Sequence, residues 1–188
     1  MTEHLQLPNL STQKDYVGTA FSPIYTTTVT VSGGVASHGR ASGRARSSDG
    51  ALDINLRMPP ELGGDGQATN PEQLFAAGFA ACFHGALSLV ARQEELDPAA
   101  ISVEATVAFG RDPDDGGYLL RVDLVVNWPE VDPEIANPLL EQADSLCPYA
   151  RMAWRGTPTT ITLAPYDLGG DSDPPRSGRD MRRTARVG

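Results

Sequence analysis

The chain has 188 residues, 24 acidic against 15 basic side chains, a net charge of −9 and a pI near 4.7. That balance argues against nucleic acid or an anionic membrane surface as the main partner. Two Cys are too few for a disulfide scaffold, the sequence offers no four-ligand Cys/His cluster for structural zinc, and a domain of this size needs neither to fold. We expect no signal peptide and no charge-free apolar stretch of about 18 residues able to span a membrane, hence a cytoplasmic chain.

Residues 1–23 are polar without a sustained period, and residues 165–188 are rich in Gly, Pro, Ser and charge; both read as flexible tails around a core at 24–164. The first strand is expected at 24–32 (IYTTTVTVS), where β-branched residues alternate. A strand at 38–47 and another at 51–58 follow, separated by the turn Ser48-Asp49-Gly50. In the strand at 38–47, alternation places Arg40, Arg44 and Arg46 on one face.

The strongest helix signal begins at Asn70-Pro71-Glu72-Gln73, which offers an N-cap, Pro at the first helical position and the Gln of a capping box. Residues 74–91 are apolar nearly all round, the pattern of a buried helix, and Pro98 stops the chain beyond it. Strands are expected at 101–109 and 118–128, joined by a turn at 112–117. A second helix lies within 132–146, where Pro138 either kinks it or, with Asn137 as N-cap, starts it. The β-branched segment at 159–164 closes the core as a sixth strand. The expected class is α+β: about six strands, a long buried central helix and a second helix. One subunit covers such a helix poorly on all sides, which points to a dimer.

Cys82 sits inside the apolar helix and Cys147 at a helix end before Pro148. Each alone is compatible with inert packing, and an apolar setting raises a thiol pKa. A reactive Cys82 therefore needs a cation, which in a chain with Lys14 as its one lysine must be an arginine. Arg40, Arg44 and Arg46 are the candidates, with a solvated arginine face as the alternative. An arginine turned inward needs a carboxylate. Glu72 is available; the alternative role of such a first-turn acid is to serve the helix dipole. Glu72 and Cys82 are ten residues apart, ~15 Å along a straight helix, so either the helix breaks or an arginine side chain bridges them; we expect a bend or break between Phe75 and Ala80, with Gly78 the obvious place. His84 reads as a packed or hydrogen-bonded residue and His38 as a loop residue. Neither has a partner set for metal or for a Cys-His dyad.

The string at 68–83, ATNPEQLFAAGFAACF, resembles the first cysteine motif of the Ohr/OsmC family, and Cys147-Pro148-Tyr149 resembles the second. The wording NPEQLFAAGF is similar to the organic hydroperoxide resistance (Ohr) branch. The resemblance covers residues ~25–164. It implies the OsmC-like fold as an intertwined homodimer and a thiol peroxidase that acts in oxidative-stress defence. In that scheme Cys82 is the peroxidatic thiolate and Cys147 resolves its sulfenic acid as a disulfide. Arg40, with Arg44 in reserve, stabilises thiolate and peroxide, and Glu72 orients the arginine. Phe79 and Phe83 form an apolar substrate pocket. No cofactor or metal is bound; dihydrolipoamide on a lipoylated protein is the external reductant. The arginine motif departs from the family pattern by one extra residue before Arg44. The alternatives are an OsmC-type peroxidase with another thiol reductant, or a non-catalytic redox-sensing or binding module.

Overall fold

The computed structural model describes residues 17–35, 42–129 and 131–164, which fall into two compact units divided between Ala68 and Thr69. Both expected tails lie largely outside these residues; 17–23 carries no helix or strand and is exposed.

The first unit is a three-stranded antiparallel sheet in the order β1 (Val29–Ser32), β2 (Gly43–Ser47), β3 (Asp53–Leu56). Alternation sets its two faces. Ala45 and Leu56 are buried, whereas Arg44 and Arg46 share the exposed face, as the period predicts. The β2–β3 turn is built by Ser47, whose hydroxyl accepts the Leu52 N–H at 2.9 Å, and by Gly50 at φ +76°. Gly43 is required where β1 and β2 meet: its φ is +114°, and a Cβ there would lie 2.4 Å from the Ser32 carbonyl oxygen. β1 and β3 are shorter than their sequence patterns suggested; of the strand expected at 38–47, residues 38–41 lie outside the described residues.

The second unit runs α1 (Pro71–Gln93), β4 (Ser102–Arg111), β5 (Tyr118–Asn127), α2 (Pro133–Leu146), α3 (Pro148–Arg155). β4 and β5 form an antiparallel hairpin from Ser102 opposite Asn127 to Arg111 opposite Tyr118. α1 begins as read: the Asn70 side chain accepts the Gln73 N–H at 2.9 Å, with Pro71 in the first turn. The Gln73 side chain does not return to the cap; the Thr69 hydroxyl donates to its Oε1 at 2.9 Å.

α1 lays one stripe into the core: Phe79, Phe83, Leu87, Val90 and Ala91 pack with Ile101, Trp128, Leu139, Ala143, Cys147 and Ala150. The spacing of four, four and three residues keeps the stripe on one side of a 3.6-residue helix. Burial of a Phe, Leu or Val there contributes ~1.5–3 kcal/mol each. Ala77, Ala81 and Gly85 face the other way and are exposed.

Three expectations change, and one open alternative is settled. The helix break near Gly78 does not occur, because α1 is continuous from Pro71 to Gln93. α2 starts at Pro133 under the Asp132 cap, whose carboxylate accepts the Glu134 N–H at 2.8 Å, and passes through Pro138 rather than starting there. The segment 159–164 is no strand: Ile161 and Leu163 are 93% and 95% exposed. β-branched alternation supplies a face but not a partner, and among the described residues no strand edge pairs with it. Last, residues 74–91 contain no Asp, Glu, Lys or Arg, so the expected absence of such a run was incorrect. α1 is long and apolar enough to cross a membrane by length and composition, with mean hydropathy 1.8.

Candidate active site

The second unit brings its two cysteines together. α2 ends at Cys147, whose N–H donates to the Ala143 carbonyl at 2.8 Å. The following Pro148 disfavours helical backbone at Cys147 and suits the first position of a new helix. Cys147 accordingly adopts φ −67°, ψ 118°, and α3 starts at once. This corner turns the fully buried Cys147 side chain toward α1, and its Sγ lies 3.1 Å from Sγ of Cys82. Both are free thiols.

Cys82 is half-buried, and that burial is the main reason its thiol is pushed up to about 11, with the neighbouring Cys147 acting in the same direction. The Tyr149 backbone works against the rise. Among the described residues no guanidinium offsets it.

Three aromatic rings border the pair. Phe75 stacks with Tyr149 at 6.3 Å between centroids, Phe79 meets Tyr149 edge-on at 5.9 Å, and Phe75 meets Phe79 at 6.0 Å. Gly78 lies beneath the Tyr149 ring, where an added Cβ would stand 3.1 Å from Cε2. Gly78 is therefore a seat for an aromatic ring rather than a hinge. Sequence reasoning missed this seat. The signal was a Pro immediately after Cys147, which starts α3 and with it places Tyr149.

The other expected residues are placed as follows. Phe79 and Phe83 are buried in the core, Phe79 also against the Tyr149 ring. Glu72 is half-buried in the first turn of α1, ten residues and ~15 Å of unbroken helix before Cys82. His84 Nε2 lies 3.2 Å from the Ile101 carbonyl, a packed histidine as expected. Arg40 and His38 lie outside the described residues. Arg44, the reserve arginine, is held by a carboxylate of its own sheet. Asp53 accepts from Nη2 of both Arg44 and Arg46 at 2.7 Å. The Arg44 hydrogen bond, then that of Arg46, lower the Asp53 carboxyl to about 2. Asp53 was also missed, although a strand turning back at Ser48-Asp49-Gly50 sets it opposite Arg46. Among the described residues no three His, Cys, Asp or Glu side chains gather as metal ligands.

Comparison with known proteins shows what the chain is similar to. Residues 64–162 match the model of the OsmC-like protein family. The chain is 43% identical over 143 residues to the organic hydroperoxide resistance protein of Xanthomonas axonopodis pv. citri, spanning 75% of this chain and 95% of that protein. It is 41% identical over 133 residues to the organic hydroperoxide resistance protein OhrB of Bacillus subtilis, spanning 71% and 92%. Among solved structures it is similar to an organic hydroperoxide resistance protein of Legionella pneumophila, with a TM-score of 0.63 and 38% identity over 72% of this chain and 93% of that one.

Proposed function

The chain belongs to the OsmC-like family, in its organic hydroperoxide resistance branch, and from that premise we propose that it is a thiol peroxidase reducing organic hydroperoxides in oxidative-stress defence. The observation that carries this reading is the 3.1 Å approach of two free thiols, one half-buried and one fully buried. The Cys82 thiolate attacks the distal oxygen of a hydroperoxide. A sulfur–oxygen bond forms as the oxygen–oxygen bond breaks, sulfur loses two electrons, and the alkoxide takes up a proton as alcohol. The sulfenic acid then condenses with the Cys147 thiol, releasing water and forming a disulfide of ~2.05 Å, so the sulfurs close by ~1 Å.

Arg40 is the cation this scheme requires: it lowers the Cys82 thiol and polarises the peroxide. Glu72 orients it, and the length of an arginine side chain spans part of the interval that unbroken α1 leaves between Glu72 and Cys82. Phe79 and Phe83, with the rings of Phe75 and Tyr149, favour a greasy hydroperoxide over hydrogen peroxide. The disulfide is reduced by exchange with dihydrolipoamide carried on a lipoylated protein. The chain acts as a homodimer, a reading supported by the exposed Ile161 and Leu163 and by the uncovered small-residue face of α1. Free cysteines suit a reducing compartment, the cytoplasm.

The test is consumption of cumene hydroperoxide by the full chain with dihydrolipoamide as electron donor. We expect turnover that Cys82→Ser abolishes. Turnover with other thiols but not with dihydrolipoamide would replace the reductant. A parent no faster than Cys82→Ser would sink the peroxidase reading.

A further inference from the structure

We propose that Tyr149 is a positioning residue for disulfide closure: its ring, seated on Gly78 between Phe75 and Phe79, holds the corner at Cys147 against α1 and so sets how strongly the two thiols pair. The proposal rests on the reading of Cys82 and Cys147 as a pair that closes to a disulfide.

Phe75, Gly78, Phe79 and Cys82 follow one another at intervals of three, one and three residues on continuous α1, so they share one face. The chain around α3 meets that face at two points. The Tyr149 ring stacks on Phe75, meets Phe79 edge-on and lies against the bare backbone of Gly78. The Cys147 sulfur reaches Cys82, four residues and ~6 Å further along α1. The two points are tied to each other. The Arg151 N–H donates to the Cys147 carbonyl at 3.0 Å, which puts Cys147 and Tyr149 in one hydrogen-bonded turn. Fixing the ring therefore fixes the sulfur.

The corner needs such a hold. Cys147 hangs from α2 through its bond to the Ala143 carbonyl, but its φ of −67° and ψ of 118° leave the helical path. The direction of α3 is then set by what α3 packs on. With eight residues it is too short to be stable alone, and its N-cap residue makes no side-chain capping bond. Tyr149 itself is 37% exposed and stands outside the buried core, so its ring adds little to the burial that holds the fold. Its neighbour on α1 is the poorest helix former after proline. A Cβ at position 78 would stand 3.1 Å from Cε2 and 3.3 Å from the hydroxyl oxygen, so any side chain there presses on the ring. Thiols held close in this way pair strongly, because the freedom that closure would remove is already lost. The disulfide equilibrium reads that directly.

The experiment equilibrates the full chain with mixtures of oxidised and reduced dithiothreitol. Cys82 and Cys147 give up two electrons and two protons, and oxidised dithiothreitol takes them and becomes the dithiol. The disulfide fraction is read by intact mass after alkylation of the unfolded chain. The parent, Gly78→Leu, Tyr149→Ala and Tyr149→Phe are compared, and melting of the dithiol forms shows which are folded. Leucine is a good helix former, so Gly78→Leu favours α1 while occupying the seat. We expect Gly78→Leu and Tyr149→Ala to form the disulfide with an equilibrium constant about tenfold smaller, a potential ~30 mV less reducing. Tyr149→Phe, which keeps the ring, should match the parent. A parental equilibrium in either of the first two overturns the proposal, as does an equal shift in Tyr149→Phe. Should one of the first two fail to fold, the other decides with Tyr149→Phe. A parent that forms no Cys82–Cys147 disulfide removes the pairing and the proposal with it. The titration needs no peroxide: a parent inert to cumene hydroperoxide would remove the peroxidase reading, while the equilibria would still decide the role of Tyr149.

Discussion

The sulfurs of Cys82 and Cys147 lie 3.1 Å apart although 65 residues separate them in the chain. Cys82 comes from the middle of a continuous helix, where its backbone is fixed by the buried neighbours Phe79 and Phe83. Cys147 comes from a proline-enforced corner between two helices, both of which pack on α1. Neither sulfur needs a large backbone movement to bond the other.

The two thiols should therefore fail in different ways. With Cys147→Ser, Cys82 should still consume about one equivalent of hydroperoxide, and its sulfenic acid should persist long enough to be trapped by dimedone. With Cys82→Ser, consumption should fall to the uncatalysed rate and no dimedone adduct should form. Intact-mass spectrometry reads both. An adduct on Cys147 in the Cys82→Ser chain would reverse the assignment.

Burial pushes the Cys82 thiol up to about 11, which on its own would leave on the order of one molecule in 10⁴ as thiolate at pH 7. Removing the cation should expose that value. In Arg40→Ala the rate of peroxide attack should rise about tenfold per pH unit from pH 7 to about 10, because the neutral form prevails until the raised pKa is reached. The parent should level off at lower pH. Stopped-flow rates across this range check it, and a parental profile in Arg40→Ala would withdraw the role of Arg40. Arg44→Ala is the control, since Asp53 already engages that guanidinium.

Much of the second unit was legible because local rules and tertiary packing agree there. Asn70-Pro71 starts α1, Pro98 follows its end, and the turn at 112–117 joins two strands whose register runs without interruption. The cysteine pair was legible through a long motif rather than through geometry. What escaped depended on partners distant in sequence. The break expected at Gly78 came from requiring Glu72 and Cys82 to meet, whereas the missing side chain makes room for the Tyr149 ring, 71 positions along the chain. The segment 159–164 carries strand propensity with no pairing edge, and propensity alone does not satisfy backbone amides.

Asp53 gathers Arg44 and Arg46, and its carboxyl is lowered to about 2. A carboxylate whose pKa is depressed in the folded state adds stability above its ordinary value of ~3.9 and loses it as pH falls through the depressed one. Asp53→Asn should accordingly melt lower than the parent at pH 5 to 7, the two should converge as pH approaches 2, and the gap should narrow in high salt because the pair is exposed. Melting temperatures over this pH range test it; a gap that persists at pH 2 would assign the effect to something other than charge.

Leu87 has no exposed surface and sits at the centre of the α1 stripe. Leu87→Ala should cost about 2–5 kcal/mol, the sum of lost burial and a cavity. Urea denaturation should show a lower midpoint with an unchanged slope. Alkylation of Cys82 should keep its parental pH profile, since Leu87 lies five residues further along α1 and makes no bond to either sulfur. A displaced profile would mean that core packing, not local hydrogen bonding, sets the thiol.

Ile161 and Leu163 are 93% and 95% exposed, at alternating positions of a segment that pairs with no strand among the described residues. Two such side chains in water forgo ~1.5–3 kcal/mol each that burial would supply. If the chain acts as a homodimer, a second copy is the partner best placed to cover them. Placing a carboxylate at either site should then weaken the dimer, because a buried unpaired charge costs far more than an exposed one. Analytical ultracentrifugation should give the parent as a dimer at micromolar concentration and Ile161→Asp with Leu163→Asp as a monomer. A parent that sediments as a monomer would end the dimer reading. A double variant that remains dimeric would move the interface elsewhere, with the exposed face at Ala77, Ala81 and Gly85 the next surface to substitute.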